Sequence, residues 1–139
     1  MSVQAELQKL VKDTLTADAS VMALVDGVHD RVPTDPFKAK KAYLAFGPSD
    51  AVSDDAECIT GDEITLQVDA FCRHSELDVT CRRIVDAVKR SLHGQELELN
   101  TNALVEIRVD SRRVFRDPDG LTSHGVVTIT AMVEEPEVS

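Results

Sequence analysis

The chain has 139 residues, enough for one ordinary domain. Its 15 Lys and Arg against 25 Asp and Glu give a net charge of −10, which disfavours any partner gripped by its phosphate backbone. A content of 42% hydrophobic and 29% charged residues fits a globular chain, and no run approaches the roughly 18–20 apolar residues of a membrane span. The opening residues, Met1 to Glu6, lack the basic and then apolar pattern of a secretory signal, so the expectation is a soluble protein made in the cytosol and kept there or built into something assembled there.

Leu7, Leu10, Val11 and Leu15 fall at helical spacing and predict a helix from Val3 to Leu15. Asp18 or Ser20 can cap a short second helix carrying Val21, Leu24 and Val25, with Gly27 as its stop. Val28 to Val32 reads as a short extended segment ended by Pro33, and Ala42 to Phe46 as a strand ended by Gly47-Pro48. From Glu63 to Cys72 the alternation is strict: Ile64, Leu66, Val68, Ala70 and Cys72 share one face, with Glu63, Thr65, Gln67 and Asp69 on the other. Ser75 can cap the clearest helix, whose apolar stripe is Leu77, Cys81, Ile84, Val85, Val88 and Leu92, and Gly94 stops it. Leu97 and Leu99 are read as a short strand. Val105, Ile107 and Val109 then alternate with Glu106, Arg108 and Asp110, and the alternation slips at Ser111-Arg112-Arg113, the mark of a β-bulge or of a strand leaving its sheet. Asp117-Pro118-Asp119-Gly120 has the residues of a tight turn in the right order, and Val127, Ile129, Ala131 and Val133 line a last strand. The prediction is an α+β fold: one domain over residues 1–139, a mostly antiparallel sheet with helices packed on one face.

Charge is unevenly placed. The stretch 49–63, read as a loop, carries Asp50, Asp54, Asp55, Glu57, Asp62 and Glu63 and no base; the tail, 134–139, adds Glu134, Glu135 and Glu137. The remaining 16 acids nearly balance the 15 bases, so the body of the domain is close to neutral. Solvated segments kept soluble by charge account for this; the alternative is a functional acidic surface.

Chemistry is hard to place. His29, His74, His93 and His124 are scattered, and Cys72-x-His74 with Cys81 is the nearest approach to a metal set. Both cysteines sit on apolar faces, so core packing is the simpler account. With no Trp and five other aromatics, nothing in the sequence marks a stacking platform for bases or sugars. Arg108, Arg112 and Arg116 share strand parity, with Arg113 opposite. They fit either a solvated face paired with acids such as Glu106 and Asp110, or a contact with the acids of a neighbouring copy.

The segment from Arg112 to Val127, RRVFRDPDGLTSHGVV, resembles the C-terminal signature of a family of phage tail-completion proteins, also called tail terminators or head–tail joining proteins. Leu15 to Gly27 with Asp30-Arg31-Val32-Pro33, and Ile84 to Leu92, resemble the family's N-terminal pattern and central helix. Lys41-Ala42-Tyr43 stands where a proline-led aromatic pair is common, and Phe71-Cys72-Arg73 has no tryptophan nearby. The resemblance implies a structural virion protein of a long-tailed phage, prophage or gene transfer agent, assembled in the host cytoplasm, with no catalytic residue, cofactor or metal. It implies a self-assembling, hexameric ring that caps the head-proximal end of the tail tube and stops its growth. That ring would join the tail to the head's connector or stopper protein and pass DNA without specific binding or membrane contact. On this reading Arg108, Arg112, Arg113 and Arg116 are candidates for the subunit interface, and the acids of 49–63 for an axial or lumen-facing surface. The competing expectations are a head-side connector or minor tail assembly protein, a nucleic-acid binder, and a small cytosolic enzyme using His124 or His74 with a nearby acid.

Overall fold

In the computed structural model, which describes residues 2–56, 59–73 and 77–136, the two most strongly alternating stretches lie side by side in the middle of one sheet. The elements are α1 (Val3–Ala17), α2 (Ala19–Met22), β1 (Val28–His29), β2 (Ala42–Ser53), β3 (Gly61–Cys72), α3 (Leu77–Leu92), β4 (Ala103–Arg116) and β5 (Ser123–Glu134). The sheet order is β1-β2-β3-β5-β4, with β1 parallel to β2 and every other pair antiparallel. This is the expected α+β class.

Register explains the core. Ile64, Leu66, Val68 and Ala70 of β3 stand opposite Ala131, Ile129, Val127 and Gly125 of β5, and all are buried on one face. Against that face α3 sets Cys81, Ile84, Val85, Val88 and Leu92, while α1 buries Leu7, Val11 and Leu15 beside β1 and β2. Gly125 permits this close approach. A Cβ there would come within 2.6 Å of Val85 Cγ1 and 3.0 Å of Cys81 Sγ, so any side chain would push α3 off the sheet.

Four boundaries differ from the sequence reading. First, α2 ends at Met22, before Gly27; its cap is Asp18, whose carboxylate accepts the Ser20 N–H. Second, β2 does not stop at Gly47-Pro48. The two residues form a bulge, and pairing with β3 resumes from Ser49 to Ser53. Proline lacks the N–H a regular ladder needs, and a bulge accommodates it; a Cβ on Gly47 would meet the Asp69 carboxylate at 2.6 Å. Third, residues 97–99 form no strand, although Leu97 and Leu99 pack against the core. Fourth, β1 is only two residues long. Gly94 adopts φ +67° just past α3, as a helix stop requires, whereas the expected Ser75 cap lies outside the described residues.

Candidate functional site

The four arginines singled out in the sequence lie on β4, the edge strand, but not with the expected parity. An extra residue, Asp110, sits between the pairs Val109–Ile129 and Ser111–Thr128. The alternation therefore slips one residue earlier than the sequence indicated, and everything after it turns over. Arg108 and Arg113 share the sheet face away from the helices, whereas Arg112 and Arg116 point towards α3. Arg112 binds the Asp86 carboxylate of α3, and Arg116 lies 3.4 Å from Asp78. Arg108 pairs with Asp110 at 2.8 Å and with Glu106 at 3.8 Å, as the solvated-face reading anticipated. The Arg113 guanidinium lies over the ring of Phe115. A second bulge near Leu104 leaves Val105 exposed, not inward as its alternation implied.

The free edge of β4 is partly covered. The Gly94 N–H donates to Ile107 O at 2.9 Å, and the Val109 N–H donates to His93 Nδ1 at 2.9 Å, so the turn after α3 blunts the middle of the edge. Beyond that point a groove of about 490 Å³ runs between α3 and β4. Its rim carries Arg82, Lys89 and Arg112 together with Asp86 and Asp110, and its floor Val85, Val109 and Val114.

The acidic stretch is not a loop. Most of it is the far half of a β2–β3 hairpin, with Asp50 opposite Thr65, Glu63 opposite Val52 and Asp62 opposite Ser53. Asp54 and Asp55 follow at the tip, where Asp55 accepts the Gly61 N–H. Glu57 lies outside the described residues, as does Glu137 of the acidic tail. Residues 48–56 are all exposed, including Val52. The sequence concealed this arm because its helix-side positions, Ser49, Ala51 and Ser53, are small or polar and give no apolar alternation.

The turn Asp117–Gly120 forms as read: Gly120 donates to Asp117 O at 3.0 Å, and Gly120 has φ +72°. The Asp119 carboxylate accepts the N–H groups of Leu121 and Thr122 and the Thr122 hydroxyl. These bonds, the Leu121 one foremost, hold it below the ordinary carboxylate range.

Sequence reasoning missed an aromatic row on the open face. Phe37, Tyr43, Phe71, His124 and Phe115 follow one another with ring centroids 4.4–5.1 Å apart. The His124 ring is clasped, with Nε2 2.9 Å from Asp69 Oδ1 and Nδ1 3.5 Å from Asp117 Oδ1. The signal was in the register: once β3 and β5 are paired, Phe71 and His124 are directly opposite each other. The rings are spent on one another and Tyr43 is buried, so the row braces the sheet instead of offering a flat stacking surface. Among the described residues His124 hydrogen-bonds to Asp69 and lies beside the Asp117 carboxylate, and no nucleophile joins them. Cys72 and Cys81 are core residues, and burial pushes the Cys81 thiol up to about 11, out of the reactive range. His74 lies outside the described residues, and among the described ones no three His, Cys, Asp or Glu side chains gather as a metal site.

Compared with known proteins, residues 9–134 match the family model described as "Tail completion protein gp17". A chain of the solved structure "Virion of native gene transfer agent (GTA) particle" superposes with a TM-score of 0.85 at 25% identity, over 96% of this chain and 98% of that one. No curated protein matches by sequence.

Proposed function

Since the chain belongs to the tail completion protein gp17 family, whose members are structural tail proteins, we propose that its copies form a closed, six-membered ring at the head-proximal end of a tail tube. The ring ends tube polymerisation and offers its other face to the head connector, and DNA passes through it. The observation that carries this reading is the near-complete superposition on a chain of an assembled virion, with almost nothing left over on either side. A subunit of such a ring works by surfaces, and the fold supplies them. Helices cover one face of the sheet, while the other face, the groove side of β4 and the β2 edge beyond β1 are available for neighbours. The β4 edge, with Arg108, Arg112, Arg113 and Arg116, is one side-to-side surface. Arg112 and Arg116 act there partly through α3, which they tie to the strand.

The test is to add purified chain to tube protein that is polymerising. Capped tubes should stop lengthening and carry the chain at one end only. Tubes that grow to the same length with and without it would overturn the terminator role. Recovery of the chain with tail-less heads, rather than head-less tails, would instead favour a head-side connector.

A further inference from the structure

Two surfaces of opposite character lie at opposite edges of the sheet. On one side, the β2–β3 arm runs past the two-residue β1, which pairs only with Leu44 and Ala45, so the outer edge of β2 lies open beyond it. That arm presents Asp50 and Asp54, neither of which makes an ion pair among the described residues, beside exposed Val52 and Ile59. On the other side, the α3–β4 groove has Val85, Val109 and Val114 on its floor, and its rim carries three bases, Arg82, Lys89 and Arg112, with two acids already bound by arginines, Asp86 by Arg112 and Asp110 by Arg108. Of that rim, Arg112 is held by Asp86, but Arg82 and Lys89 make no ion pair among the described residues. Across the whole chain, α3 and β4 hold eight of the 15 bases, and the stretch 49–63 holds six acids and no base. Within one subunit the arm cannot reach the groove, because β3 and β5 separate β2 from β4 by about 14 Å of sheet.

We propose that the β2–β3 arm of one copy docks in the α3–β4 groove of the next, Val52 and Ile59 against the valine floor and Asp50 and Asp54 against Arg82 and Lys89. This rests on the ring reading above and names the contact that closes the ring. A donor surface on one edge and an acceptor on the other allow a heterologous, head-to-tail contact, the kind that builds closed rings or filaments. It also assigns the acids of the arm to a neighbouring copy, not to the lumen. The blunted middle of β4 fits this geometry, because docking through side chains in the groove needs no continuous strand pairing.

Charge reversal tests it. Asp50→Lys with Asp54→Lys reverses the arm, and Arg82→Glu with Lys89→Glu reverses the groove; all four positions are exposed or at the groove rim. Each pair alone should raise the concentration needed for half-assembly at least about tenfold, since like charges then face each other. All four changes in one chain should restore assembly, and so should an equal mixture of the two reversed proteins. Native mass measurement, alone and with tail tubes, reads the outcome, and thermal melts establish that the reversed monomers are folded. Reversed proteins that assemble like the wild type would overturn the arm-in-groove contact and leave the ring standing. So would folded single reversals that the fourfold variant does not rescue. A wild-type chain that stays monomeric both alone and on tubes would overturn the contact and the ring together.

Discussion

Glu6 shows how one buried side chain can tie distant parts of the chain together. It sits on α1, yet its carboxylate accepts the backbone N–H groups of Thr101 and Asn102 and the Asn102 side-chain amide, at the entrance to β4. These bonds, the one from Asn102 foremost, draw its pKa below the ordinary value of 4.5. A lowered carboxylate stabilises the fold fully above its unfolded value and loses that contribution as pH falls through its folded one. Glu6→Gln should therefore be less stable than the wild type at neutral pH, and the gap between their urea midpoints should narrow as pH drops below about 4.5. A gap that stays constant from pH 7 to pH 3 would contradict this role. Nothing in the sequence marks Glu6, since an acid in the first turn of a helix is also what the helix dipole favours at an exposed site. The turn Asp117–Gly120 lay at the other extreme, because its chemistry is local and four adjacent residues suffice to specify it.

Elements with a single strong period were legible, and those bent by a bulge were not. The inner faces of β3 and β5 and the stripe of α3 from Cys81 to Leu92 form as read, because each buries one face. On β4, one inserted residue reverses the facing of everything after it, and the arginines divide between α3 and the open face. Asp110 fixes that insertion by bonding the Thr130 hydroxyl and Arg108. Asp110→Ala, which keeps the bulge, should cost about 1–2 kcal/mol in unfolding free energy. Deleting Asp110 removes the bulge but keeps the register, because Ser111 then follows Val109 opposite Thr128, and Arg112 and Arg116 stay on the α3 side of the strand. The deletion should therefore cost about as much as Asp110→Ala and leave the Arg112–Asp86 pair in place. A clearly larger loss would mean that the bulge itself, beyond the bonds of Asp110, holds the strand in place. The hairpin arm was hidden for a related reason: Gly47-Pro48 is a stop by local rules and a bulge in a paired strand.

At the scale of the whole molecule, the net charge of −10 resolves into a nearly neutral body, an acidic C-terminal tail and an acidic arm at one edge, with the bases of the body concentrated on the helix and strand at the other. Such a chain is polar from side to side. The family it belongs to and the virion chain it superposes on identify it as a structural component of a phage-like particle. Side-to-side polarity is what a subunit of a closed ring needs, with each copy offering one edge and receiving the other. A ring that ends one polymer and begins a junction should control two things at once, the length of the tail and its attachment to the head. Electron microscopy of particles assembled without this chain measures both. The expected result is tail-less heads beside tubes of uncontrolled length, with joined particles of normal tail length recovered when the chain is supplied. Complete particles with tails of normal length in its absence would contradict the account.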